Sequence, residues 1–66
     1  MKYVFYVTYT DGTRDILECP DKDSAGLAYD AFARRKRVLD SQVTGYGTLE
    51  LKYYSRKEND RIRTFN

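Results

Sequence analysis

A single helical segment set between two strand-rich ones leaves a chain of 66 residues able to cover one face of its sheet and no more. The other face must either meet solvent or be claimed by a partner. A chain this short buries only about 60% of the surface it exposes when unfolded, so stability is expected to be small. The usual supplements are disulfides, a structural metal or a second chain. Cys19 is the only cysteine and there is no histidine, which removes an internal disulfide and a Cys/His metal site. Oligomerisation or docking remains, and Cys19 itself reads as a reduced, half-buried strand residue.

Lys2 to Thr10 is rich in aromatic and β-branched residues and runs into Asp11-Gly12, a hairpin signal. Two registers compete. A two-residue turn sets Phe5 opposite Glu18; a type I turn with Gly12 in a left-handed bulge pairs Tyr9 with Thr13 and sets Phe5 opposite Leu17. The second gives each face one character. Tyr3, Phe5, Val7, Leu17 and Cys19 gather on one side, and Val4, Tyr6, Thr8, Arg14, Ile16 and Glu18 on the other.

Pro20 ends the second strand, and Asp21 and Asp23 supply the acceptors and negative charge suited to a helix start. Ser24, Leu27, Ala28, Ala31, Phe32, Arg35, Val38 and Leu39 follow a helical stripe, with Gly26, Asp30, Arg34 and Arg37 opposite. Leu27, Phe32, Val38 and Leu39 are therefore expected to meet the sheet, and the helix to end between Arg37 and Ser41. Thr44 to Gly47 reads as an interruption, Thr48 to Tyr54 as a third strand, Ser55 to Asp60 as a turn and Arg61 to Phe65 as a fourth strand. The predicted fold is α+β: one domain over residues 1–66 in ββαββ order, with one helix packed on one face. Its four-stranded antiparallel sheet has the second strand beside the first, then the third, then the fourth (β2-β1-β3-β4).

Catalysis has little material. The commonest general base is missing, the serines and Cys19 have no imidazole to activate them, and no phosphate loop or dinucleotide fingerprint occurs. The expectation is a non-enzymatic protein without a cofactor. No stretch approaches the roughly 20 apolar residues of a membrane span, and the expected compartment is the cytoplasm. Charge is lopsided: residues 1–33 hold three bases against six acids, and residues 34–66 nine against four. An anionic partner fits that asymmetry.

Arg34-Arg35-Lys36-Arg37 is the densest cationic cluster. It suits a helix C-terminus, where cations complement the dipole, and it also suits phosphate contacts by Arg34, Arg35 and Arg37, with Lys52 added from the third strand. Gly45-Tyr46-Gly47-Thr48-Leu49 resembles part of the RNP1 signature of the RNA recognition motif, with Thr44 in place of the basic residue and Thr48 in place of the stacking aromatic. The uncovered sheet face is the other candidate. Alternation assigns Tyr6, Ile16, Tyr54, Arg61 and Arg63 to it, with Val4 and Phe65, and Tyr and Arg are enriched at protein interfaces.

These observations point first to an interaction module that binds a protein partner through Tyr6, Ile16, Tyr54, Arg61 and Arg63, a second copy of the chain included among the partners. In length and element order the chain resembles the small inhibitors that bacteriophages encode against host enzymes and defence systems, anti-CRISPR proteins among them. That resemblance implies a protein target. The alternatives are a nucleic-acid-binding protein, using Arg34, Arg35, Arg37 and Lys52 with sheet tyrosines, and a structural homodimer subunit.

Overall fold

The first hairpin forms as its turn chemistry dictates. The computed structural model describes residues 1–65, without the side chains of residues 36–40. Strands β1 (Tyr3–Tyr9) and β2 (Arg14–Cys19) pair antiparallel with Phe5 opposite Leu17. The Tyr9 N–H donates to the Thr13 carbonyl at 3.0 Å and the Gly12 N–H to the Tyr9 carbonyl at 3.1 Å, with Gly12 at φ 87°. This is the bulged turn anticipated from the sequence, and only glycine adopts that backbone without strain. Asp11 fixes it by accepting from the Thr13 N–H and hydroxyl, at 2.9 and 2.7 Å.

Helix α1 (Lys22–Leu39) starts at Asp21, whose carboxylate accepts from the Ser24 N–H and hydroxyl at 2.8 and 2.7 Å. That bond satisfies an amide that the helix itself leaves without a partner. The helix lies on the odd-numbered face of the hairpin, where Phe5, Tyr29, Phe32 and Tyr46 form one ring cluster with centroid separations of 5.1–6.4 Å. The stripe that meets the sheet differs from the expected one. Ala25 is fully buried and Leu27 is 65% exposed, so the helix is turned about a quarter of a revolution from the aliphatic stripe. Two rings on one side, with Ala25 and Ala28 small enough to let the backbone approach, outweigh one leucine in buried area. Val38 and Leu39 were expected to join this layer; their side chains lie outside the described residues.

Strand β3 (Val43–Glu50) pairs antiparallel with β1 and contains the segment expected to interrupt it. Gly45 and Gly47 lie opposite Thr8 and Tyr6, on the face away from the helix. A Cβ on Gly47 would stand 2.9 Å from the Tyr6 hydroxyl oxygen and 3.1 Å from its Cζ, and one on Gly45 3.3 Å from Thr8 Oγ1. The glycines make room for those side chains while Tyr46 between them enters the ring cluster. That packing accounts for the Gly-Tyr-Gly spacing that resembles RNP1.

A 3-10 turn over Leu51–Tyr53 replaces the end of the expected third strand, with the Leu51 N–H donating to the Lys2 carbonyl at 3.0 Å. The chain then leaves the β3 edge, crosses the sheet and enters β4 (Asp60–Thr64), which pairs parallel with β2. The order is β3-β1-β2-β4 in a mixed sheet, not the antiparallel β2-β1-β3-β4 expected. The helix carries the chain from β2 across to β3, and the 51–59 segment returns the opposite way. Two opposed crossovers keep one hand only by passing over opposite faces. The segment therefore covers the face the sequence left open, where Val4 is 0% and Ile16 1% exposed.

Replacing Gly47 with alanine forces the Tyr6 ring aside and is expected to cost about 1 kcal/mol. Urea denaturation of G47A in the wild-type and Tyr6→Leu backgrounds checks this: the penalty should shrink once the ring is gone.

Candidate protein-docking groove

The join between β2 and β4 sets every surface that follows. Both strands open on a charged pair, Arg14-Asp15 in one and Asp60-Arg61 in the other, and the parallel register places Arg14 opposite Asp60 and Asp15 opposite Arg61. An antiparallel pairing of these dipeptides would oppose like charges, which destabilises a ladder. Beyond the charges, Ile16 faces Ile62 and Leu17 faces Arg63.

Asp60 is the anchor. Its side chain is 0% exposed and accepts from Arg14 Nε at 2.7 Å and Nη2 at 2.8 Å, from the Lys57 N–H at 2.9 Å and from the Tyr54 hydroxyl. Arg14 Nη2 also donates to the Ser55 carbonyl at 2.9 Å, and its guanidinium stands 5.5 Å from the centre of the Tyr54 ring. The Arg14 contact, followed by the Tyr54 and Lys57 donors, holds the Asp60 carboxyl far below the ordinary carboxylate range. Burial and the adjacent Asp60 push the Tyr54 phenol up, which keeps it a donor.

A smaller network occupies the helix face. Asp15 accepts from Arg61 Nε at 2.7 Å and from the Tyr9 hydroxyl at 2.6 Å, and the Arg61 guanidinium lies 5.3 Å from the Tyr9 ring centre. Beside it, between α1 and the β2–β4 half of the sheet, runs a groove of about 310 Å³. Val7 and Leu17 form its floor, Ala28, Ala31 and Phe32 its helix wall, and Arg35, Arg61 and Arg63 its rim. The groove exists because α1 sits over β1, β3 and the near side of β2 without a comparable approach to β4. Among the described residues neither Arg35 nor Arg63 makes an ion pair. Glu18, the acid next along β2, alternates to the other face, so Arg63 stands by Leu17 instead of a carboxylate.

The expected binding set is divided by this geometry. Ile16 is buried, Tyr6 is half-buried against Gly47, and Tyr54 is half-buried and engaged by Asp60. All three belong to the crossover face, whereas Arg61 and Arg63 point to the helix face; parallel pairing reverses the parity that a hairpin would have given them. A second concavity, of about 410 Å³, lies between Tyr6, Leu49, Tyr54 and Lys57, but its arginine, Arg14, is held by Asp60. The cationic set proposed for nucleic acid is divided as well. Arg34 and Arg35 are exposed on the last turns of α1. Lys52 follows the end of β3 at the opposite pole, 3.5 Å from Glu50 and 5.1 Å from the Tyr53 ring centre. The Arg37 side chain lies outside the described residues.

Cys19 is fully buried and its thiol reaches the Leu17 carbonyl at 3.5 Å; burial pushes it up, so it stays a neutral thiol. Among the described residues no cluster of acids with Cys19 is placed to hold a metal ion, and no helix is long and apolar enough to cross a membrane. Asp60, Asp15, Ala28 and Ala31 were not singled out from the sequence as site-forming. The signal for the two acids was present in the mirrored Arg-Asp and Asp-Arg dipeptides. No family model, curated protein or solved structure matches this chain.

Asp60→Asn leaves Arg14, whose side chain is only 19% exposed, without its counter-charge and is expected to cost about 2 kcal/mol. A chain of this length has about 3–10 kcal/mol in total, so the urea midpoint should fall severely. The wild-type chain should also weaken in acid: a carboxyl depressed by folding contributes fully above its unfolded pKa of about 3.9 and progressively less as pH falls below it. Midpoints measured from pH 7 down to pH 2.5 check this, and Asp60→Asn should flatten the acid limb.

Proposed function

We propose that this chain is a non-enzymatic interaction module whose protein partner docks an acidic surface in the groove between α1 and β4. The observation that carries the reading is the rim. Arg63 and, across an apolar floor, Arg35 make no ion pair among the described residues, and Arg61 stands beside Arg63. Cations left unpaired beside apolar surface favour a partner that brings both carboxylates and apolar area. The support for a narrower form, a phage-type inhibitor of a host or defence protein, is length and ββαββ order.

The test uses the immobilised full chain against a nuclease-treated lysate, beside two variants. Ala31→Arg fills the groove from its helix wall, and Arg63→Glu reverses its rim; both positions are exposed, so stability should change by no more than about 0.5 kcal/mol. The reading expects a protein captured by the wild type to be lost from both variants and kept by Tyr53→Ala, a change on the far face. Capture that ends with nuclease treatment, or that both groove variants retain, overturns it.

A further inference from the structure

The sheet has room for a second helix on the side where the groove lies. Strands lie about 4.8 Å apart, a helix with its side chains is about 10 Å across, and a four-stranded sheet therefore accepts two helices side by side on one face. α1 is centred on β1, flanked about equally by β3 and β2, with no comparable approach to β4. A neighbour packed at the usual 8–10 Å from it would have its axis close to β4, where Arg61 and Arg63 project. The flank that α1 turns toward that vacancy is made of small apolar residues: Ala31 is exposed and Ala28 is half-buried, and both line the groove. Ala28 and Ala31 lie three residues apart on one helix face, and small side chains at that spacing let a second helix come close. Ala31 and Arg35, with Leu27 further round the helix, belong to the aliphatic stripe that the sequence marked for the core and that the ring cluster turned away from the sheet.

We infer that the partner presents an amphipathic α-helix that lies in this groove beside α1, with its apolar stripe against Ala28 and Ala31 and acidic side chains over Arg63 and Arg35. The inference rests on the groove being the protein-docking site and adds what kind of segment fills it. An extended strand fits less well, because one strand would leave the α1 flank bare. A second copy of this chain fits less well on charge, because its α1 carries Arg34 and Arg35 on the last exposed turns and its net charge is +2. The docked helix would complete the layer in the manner of an amphipathic helix seated in an apolar groove.

Three 18-residue peptides serve as probes: one with a Leu/Ala stripe and glutamates on the adjoining flank, one of the same composition with two interior prolines, and one with lysine for each glutamate. The full chain, labelled with nitrogen-15, is titrated with each by NMR, with peptide helicity followed by circular dichroism. The acidic helical peptide should shift the amides of Leu17, Ala28, Ala31 and Arg63, gain helicity, and weaken about tenfold against Arg63→Glu or Ala31→Arg. The lysine peptide should not bind. Equal binding by the proline peptide overturns the helical occupant while leaving a protein-docking groove in place. Shifts confined to other surfaces overturn both readings, and a mass that doubles with concentration, lost in Ala31→Arg, replaces the partner with a second copy.

Discussion

The buried carboxylate of Asp60 is the constraint on which the rest of this structure depends. It receives the Arg14 guanidinium through two nitrogens, the Tyr54 hydroxyl and the Lys57 amide, so it ties the first residue of β4 to the first residue of β2 and to the crossover between β3 and β4. An isolated carboxylate would not be stable away from water, and this one is satisfied because charge-assisted bonds replace its hydration. Once residue 60 is set opposite residue 14, the parity of the strand is determined. Ile62 must join Ile16 under the crossover, and Arg61 and Arg63 must emerge beside the helix. The surface chemistry of one face is thus decided by an ion pair on the other.

That arrangement also resolves how so short a chain encloses a sheet with a single helix. The 51–59 crossover is poor in apolar residues, and Tyr54 and the Arg14–Asp60 pair hold it on the face where Val4 and Ile16 are buried. Each ring presents apolar area to the strands while its hydroxyl reaches a carboxylate, which is how tyrosine fits a thin layer. The same combination recurs on the helix face in Tyr9, Asp15 and Arg61. Two Arg-Asp-Tyr sets, one on each side of the β2–β4 join, hold an edge strand that buries little apolar area of its own.

The hairpin was legible because turn chemistry and alternation agreed: Gly12 fixed the register, and the odd-numbered face followed from it. Helix α1 was legible as an element but not in its rotation. A stripe of aliphatic residues and a stripe of rings overlap on it, and the choice between them is made by Phe5 and Tyr46, which come from different strands. Strand β4 was read with nearly the right ends and the wrong neighbour, because a polar stretch between two strands looks like a hairpin turn whichever edge the chain returns to. The mirrored charges of Arg14-Asp15 and Asp60-Arg61 held the missing information. Residues Tyr6, Ile16 and Tyr54 lost their standing as an exposed site for the same reason, since a hairpin would have left their face bare.

The distribution of charge explains why the groove, and not some other part of a basic surface, stands out. Most cations with described partners are neutralised where they stand: Arg14 by Asp60, Arg61 by Asp15, Lys52 by Glu50. Arg35 and Arg63 come from distant parts of the chain and flank the same apolar floor without such a carboxylate among the described residues. An exposed arginine with no apolar surface beside it stays solvated, and an acidic partner would gain little from it at physiological salt. Beside a floor that a docked segment would dry, the same charges act through a lower dielectric and their attraction for carboxylates grows. Apolar area and unpaired charge reinforce one another only where they are adjacent, and the parallel pairing of β4 with β2 is what makes them so.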